Sequence, residues 1–224
     1  MNYSELLDNI RNFTEVSADV LSNTVINVFI TNTENKIQRE LDLDAFRKFA
    51  TSSLTIGSPF LTVPEDFDFE RGIQIVDGNA DRTWLEQRDT TFIDEYNVDR
   101  TNNTGTPKYY ANWDDNTFIL APTPNAAITV ELWYNRTPER LGNGSSGTTT
   151  TTYLSNTASD LLLYGTLAET FSYLKNPTYV QLYEQKYAQS VQGLSQTQMG
   201  RKRRDEYSDG VLRIPLKSVD PGGT

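Results

Sequence analysis

The sequence predicts an α+β fold, and three observations predict it: helical periodicity at both ends of the chain, two-residue alternation through the middle, and turn chemistry that cuts the alternating stretch into short pieces. The apolar stripes at the two ends are too wide to leave in water, and each is the other's nearest available partner. The expected architecture is a helical bundle formed by N- and C-terminal helices, with an inserted antiparallel β-sheet lobe and an extended C-terminal arm. With 224 residues the chain is long enough to bury a sizeable core. The expected division is residues 1–52 for the N-terminal helices, 53–141 for the β lobe, 142–155 for a flexible loop, 156–195 for the C-terminal helices and 196–224 for the arm.

Taken in order, Tyr3, Leu6, Leu7, Ile10 and Phe13 recur at helical spacing, with Ser4 and Glu5 suited to a first turn. Ser22 or Asn23 can cap a second helix, whose apolar stripe is Ile26, Phe29, Ile30, Thr33, Ile37 and Leu41. Asp42 and Asp44 open a further turn carrying Phe46 and Phe49. From Ser53 the period falls to two. Leu61 and Val63 alternate with polar neighbours up to Pro64, with Phe67 and Phe69 expected to point inward and Asp66, Asp68 and Glu70 outward. Ile73 to Val76, Asp77-Gly78-Asn79 and Thr83 to Glu86 read as a hairpin, and Trp113 to Leu120 as another around Asp114-Asp115-Asn116. The clearest strand sets Ile128, Val130, Leu132 and Tyr134 against Thr129, Glu131 and Trp133. The low-complexity stretch from Gly142 to Thr152 reads as a loop. Leu161 to Leu174 forms a strongly apolar helix, and Asn176-Pro177 starts another marked by Val180, Tyr183, Tyr187, Val191 and Leu194. Past Ser195 the chain turns polar and reads as extended.

Composition excludes much chemistry. The chain has no cysteine and no histidine. Disulfides, Cys/His zinc sites and Ser-His-Asp or Cys-His nucleophiles are therefore ruled out. The opening Met1-Asn2-Tyr3-Ser4-Glu5 lacks a basic leader, and no apolar run approaches the roughly 18 residues of a membrane span. A soluble protein made in a cytoplasm, with no membrane partner, is expected. Net charge is −10 and uneven: residues 196–224 carry six basic and four acidic side chains, leaving −12 on residues 1–195. An acidic body argues against a general duplex-DNA binder.

The motif matches fail on context. Gly142-Asn143-Gly144-Ser145-Ser146-Gly147 spells G-x-G-x-x-G, but five threonines follow where a phosphate-binding helix should open. Asp77-Gly78-Asn79-Ala80-Asp81 begins like a calcium loop, yet Arg82 and Arg88 stand where glycine and a bidentate glutamate are required. No catalytic residue, cofactor site or metal site is expected, and the protein is expected not to be an enzyme.

A resemblance enters on four short motifs in order. Leu61-Thr62-Val63-Pro64-Glu65-Asp66-Phe67 resembles an "L-P-x-D-F" entry strand. Gly105-Thr106-Pro107-Lys108-Tyr109-Tyr110 is similar to a "G-x-P-x-Y-Y" step. Phe118-Ile119-Leu120-Ala121-Pro122-Thr123-Pro124 looks like an "L-x-P-x-P" strand and turn. Asp160-Leu161-Leu162-Leu163-Tyr164-Gly165-Thr166-Leu167-Ala168-Glu169, closed by Tyr173-Leu174-Lys175, resembles a "D-x-L-L-Y-G-A-L-x-E-A…Y-L-K-D" helix. These belong to tailed-phage head-to-tail connector or adaptor proteins, and the similarity covers roughly residues 1–195; the tail after Gly200 has no matched counterpart. The resemblance implies a virion protein of the neck, assembled in the host cytoplasm. It would form a ring, commonly of about twelve copies, joining the portal protein to a tail, nozzle or tail-terminator protein. Genomic DNA would pass through the lumen only as cargo.

Candidate partner contacts are the basic cluster Arg201, Lys202, Arg203 and Arg204, the apolar Ile214 and Leu216 of the arm, and Tyr179, Tyr183 and Tyr187 on one helix face. The basic cluster reads either as a contact to phosphate or an acidic neighbour, or as a solvated stretch. Two other functions have a motive in the sequence. Trp84, Trp113 and Trp133 could stack sugars in a receptor- or carbohydrate-binding module of a tail fibre or tailspike. Asp66, Asp68 and Glu70 could hold the metal of a nuclease, although no lysine lies near them in sequence.

Overall fold

The computed structural model describes residues 1–142 and 149–202. Its elements in chain order are α1 (Tyr3–Thr14), α2 (Asn23–Glu40), a 3₁₀ turn (Asp44–Phe46), β1 (Arg47–Ser53), β2 (Phe60–Thr62), β3 (Phe67–Val76), β4 (Arg82–Trp84), β5 (Glu86–Gln87) and α3 (Thr90–Tyr96), then β6 (Thr104–Gly105), β7 (Tyr109–Asp114), β8 (Thr117–Ala121), β9 (Thr123–Pro124), β10 (Thr129–Arg136), α4 (Tyr153–Thr157), α5 (Ser159–Tyr173) and α6 (Pro177–Lys202). The fold is α+β, in two compact units: Met1–Leu41 with the chain from Leu154 onward, and Asp42–Tyr153.

In the first unit, α1 opens on a capping box. The Asn2 side chain accepts from the Glu5 N–H at 2.9 Å while the Glu5 carboxylate accepts from the Asn2 N–H at 2.8 Å. Ser22 caps α2 by accepting from the Val25 N–H. Both helices turn their apolar stripes inward: Leu6, Ile10, Ile26, Ile30 and Ile37 are fully buried. Helix α5 is the centre, with α1, α2 and α6 all packed on it. It is apolar on more than one face for that reason, and its buried Thr166 and Thr170 hydroxyls donate to the Leu162 and Thr166 carbonyls, each at 2.7 Å. Gly165 is required at the closest approach: a β-carbon there would run into the Thr33 methyl of α2 and the Tyr187 ring of α6. The end of α5 folds over through Lys175 at φ +56°, and the Asn176 N–H reaches back to the Phe171 carbonyl at 3.0 Å.

Residues 196–202, expected to be extended, continue α6 to Lys202. The stretch contains no proline, and a single glycine at Gly200 weakens a helix by only about 1 kcal/mol.

The second unit holds two four-stranded sheets, ordered β1-β10-β3-β4 and β2-β8-β7-β5, and a small β6-β9 pair. One core, including Ile73, Ile75, Val130, Leu132 and Tyr134 from the first sheet and Leu61, Tyr110, Phe118 and Leu120 from the second, is shared between them. The expected single antiparallel sheet is thus two sheets, and the short pairings β5-β7 and β6-β9 are parallel. Helix α3, which periodicity did not reveal, covers the other face of the second sheet through Ile93 against Ala111, Ile119 and Ala121. Strand β8 is therefore buried on both faces, which is why Phe118 to Ala121 reads as an unbroken apolar run.

Two further expectations change. The Phe49 region is strand β1, starting at Arg47 instead of after Ser53, because it pairs along its whole length with β10. Phe69 stands 46% exposed, not inward. The pairing of β3 with β10 skips Arg71 and Asp68, and each extra residue reverses the alternation, leaving Phe67 inside and Phe69 out.

Candidate functional site

The outer face of the first sheet is built from the register. Phe49 pairs with Trp133 and Trp133 with Gly72. The Trp84 ring of β4 lies over Gly72, where a β-carbon would meet its Cζ3 at 2.8 Å. Phe49 and Trp133 stack at 6.0 Å between centroids, and Trp133 and Trp84 lie 6.1 Å apart. The result is an aromatic row across four strands, with Phe49 60%, Trp133 43% and Trp84 56% exposed. Alternation alone places Trp133 outward; only the register adds Phe49, and only the glycine lets Trp84 lie down beside it. Three rings left open in one row make a contiguous exposed aromatic patch, where exposed apolar residues are more often scattered singly.

Charges frame the row. Arg82 reaches Glu131 at 3.5 Å, and Arg47 meets Asp44 at 2.9 Å and Asp42 at 3.6 Å. Asp42 also accepts from Arg71, and from Asn135 Nδ2 at 3.2 Å. Burial works to raise the Asp42 carboxyl, but hydrogen bonds from Arg71 and Asn135, then the charges of Arg71 and Arg47, outweigh it and hold the pKa at about 2.

Where the second sheet's β7–β8 hairpin meets the start of β3 lies a cleft of about 510 Å³. Phe69 and Trp113 stand in its wall, with Asp68, Glu70, Asp114 and Asp115; four of its eleven lining side chains are acidic and none is basic. Trp113 is 48% exposed and meets Phe60 edge-on at 5.7 Å. Glu70 accepts from the neutral Gln87 amide at 2.6 Å, and Asp114 from the Asn116 N–H at 2.8 Å.

The nuclease reading loses its geometry here. Asp66 is taken by Lys48 and the Tyr134 hydroxyl, each at 2.8 Å, while Glu70 turns to Gln87. A lysine does lie beside the cluster, brought by β1 from far upstream, but it neutralises one carboxylate instead of completing a metal centre. Burial raises the Asp66 carboxyl less than the Lys48 and Tyr134 hydrogen bonds lower it, so it stays below its ordinary range. Among the described residues no group of three His, Cys, Asp or Glu side chains is placed to hold a metal ion. At the calcium-like stretch, Asp77 Oδ1 accepts from the Asn79 and Asp81 N–H groups and clasps its own turn. Trp113 is set apart from Trp84 and Trp133, so the three tryptophans do not make one platform.

The sequence-selected contact residues separate. Tyr183 and Tyr187 are 6% and 4% exposed: Tyr183 stacks on Phe171 at 5.3 Å, and Tyr187 packs beneath Lys36 at 4.4 Å. Both rings serve the packing of their own unit, and of the three tyrosines only Tyr179, 46% exposed, keeps a surface for a partner. Arg201 and Lys202 lie in the last turn of α6. Arg203, Arg204, Ile214 and Leu216 lie outside the described residues, as do residues 143–148 of the glycine-rich loop.

No helix among the described residues is long and apolar enough to cross a membrane. A family model described as SU10 adaptor protein matches residues 1–214, further than the motifs alone reach and across the basic cluster. No curated protein matches the chain.

Proposed function

The chain belongs to the SU10 adaptor protein family, a family of phage head–tail adaptors, and on that premise we propose that it works as a ring under the portal, joining portal to tail in the neck of the virion. The ring would hold about twelve copies, the number the family resemblance implies, closed by heterologous contacts between neighbouring copies. Helices from both chain ends form the scaffold that meets neighbouring copies. The sheet unit offers its aromatic face to the portal or to the next tail component, and the last residues of the chain serve as an arm. The protein carries out no catalysis.

The observation that supports this reading is the row Phe49, Trp133 and Trp84, open to solvent across a whole sheet of one isolated chain. Such a surface is stable in assembly and a liability outside it. Net charge supports the passage of DNA. At −10 the chain repels phosphate, so a lumen lined by it would let the genome slide without sticking.

The test is to mix purified full-length protein with portal rings and image the product by electron microscopy. A ring of added density at one pole of the portal is expected; a chain that stays monomeric and ignores the portal under all assembly conditions would overturn the proposal.

A further inference from the structure

The cleft between β3 and the β7–β8 hairpin has the composition of a peptide receptor. Its two open rings, Phe69 and Trp113, give apolar area, and its four acidic side chains, Asp68, Glu70, Asp114 and Asp115, give one sign of charge. Two guanidiniums lie over its rings, and each is also paired elsewhere. Arg71 lies 6.0 Å over the Phe69 ring and is bonded to Asp42, and Arg100 lies 5.7 Å over the Trp113 ring and is bonded to Asp94. These contacts set a cation against each ring, and both cations are balanced by Asp42 and Asp94, so the lining itself remains acidic without a basic side chain. A matching ligand is therefore cationic and apolar by turns.

The chain carries one such stretch outside the described residues: Val211-Leu212-Arg213-Ile214-Pro215-Leu216-Lys217. Arg213 and Lys217 bracket three apolar residues, and no acidic residue interrupts them. Pro215 has no N–H, so recognition must come from side chains more than from a strand ladder. Eight residues separate Lys202 from this stretch, a reach of up to about 30 Å. That is enough to leave its own copy and meet an adjacent one.

We infer that the cleft is the receptor for residues 211–217 of a second copy of this chain. The inference rests on the ring reading above: closure demands that two different parts of the surface meet, and a cationic arm with an acidic aromatic cleft is such a pair. The arm contributes attraction by opposite charge, insertion of Ile214 and Leu216 between the rings, and a stacking partner for Trp113 in Arg213.

The absence of native cysteine makes the test clean. Two full-length single-cysteine proteins, Asp115→Cys and Ile214→Cys, are mixed under portal-assembly conditions and oxidised. The mixed disulfide should exceed that of a control pair, Ser17→Cys with Ile214→Cys, by about ten-fold or more, since docking raises the effective concentration of the two thiols. Adding Glu70→Gln and Asp114→Asn should return it to the control level. Cross-linking at the control level throughout overturns the inference, as does a link that, in a further protein carrying both Asp115→Cys and Ile214→Cys, forms only within one chain and ignores dilution. A second measurement needs no variant protein. A labelled peptide of residues 208–219 should bind the unaltered full-length chain, more weakly as salt is raised and about ten-fold more weakly when Arg213 and Lys217 are alanine; no binding overturns the inference equally. Portal association is scored in the same samples. Assembly without the cross-link removes only this inference, whereas failure to assemble removes the adaptor reading itself.

Discussion

The Tyr187 hydroxyl donates a 2.7 Å hydrogen bond to Glu40 Oε2, tying α6 to the last residue of α2. Residues 147 positions apart are joined by one buried ring with a polar end. Burial first, and the Glu40 bond and charge after it, push the Tyr187 hydroxyl above the ordinary tyrosine range. A raised folded pKa means that the stabilisation is fully present below the unfolded value, about 10, and fades as pH rises beyond it. Tyr187→Phe should cost about 1 kcal/mol at neutral pH and flatten the loss of stability above pH ~10. Urea melts at pH 7 and pH 10.5 check both.

Gly165 gives a sign test. Alanine on an open helix would stabilise by about 1 kcal/mol, but here its methyl collides with Thr33 and Tyr187. Gly165→Ala should therefore destabilise by about 1–3 kcal/mol. Combining it with Thr33→Ala should cost less than the sum of the two single changes, because the colliding methyl is gone. A thermal-melt cycle of the four proteins measures the coupling.

Part of the acid sensitivity should trace to Asp42, beside the likewise lowered Asp66. Its folded pKa is about 2 against an ordinary 3.8, so its contribution is present above 3.8 and is lost as pH falls through 2. The carboxylate is 45% exposed, and solvent screening keeps the contribution below about 1 kcal/mol. Asp42→Asn should lose that amount at pH 7 and show a shallower acid limb, read from circular dichroism between pH 5 and pH 2.

The aromatic row separates folding from assembly. Phe49 is the most exposed of its three rings. Phe49→Ser should change stability by less than about 1 kcal/mol yet weaken portal association about ten-fold or more. Trp84→Ala differs, because it uncovers Gly72 and buried Gln74 within the sheet and should cost stability as well. Melting temperature and portal pull-down, measured side by side, resolve the two effects.

Several elements were legible because a local period carried them. The stripe from Ile26 to Ile37, the apolar run of α5 and the alternation of Val130, Leu132 and Tyr134 all became core. Turn chemistry marked the β3–β4 and β7–β8 hairpins. Helix α3 stayed hidden, since its 7 residues bury only Ile93 fully and offer too few turns to show a period. Phe69 was misread because bulges at Arg71 and Asp68 break the alternation, and an extra residue in a pairing leaves no mark in one strand's sequence. The candidate contacts divided for a similar reason. Tyr179 and Tyr183 both stack on Phe171 of α5, and Tyr187 packs against Lys36 and Glu40 of α2. Their shared helical spacing does not tell that Tyr179 alone of the three keeps nearly half its surface open.

By itself the sequence determined the long helices and the clearest strands, the absence of cysteine and histidine chemistry, the acid balance and the family. Each depends on neighbours in the chain or on residue counts. The tertiary structure alone decided that Phe49, Trp133 and Trp84 form one row, that Lys48 silences Asp66, and that Gly165 is where three helices touch. Those facts depend on register and approach between distant segments, where a shift of one residue exchanges inside for outside.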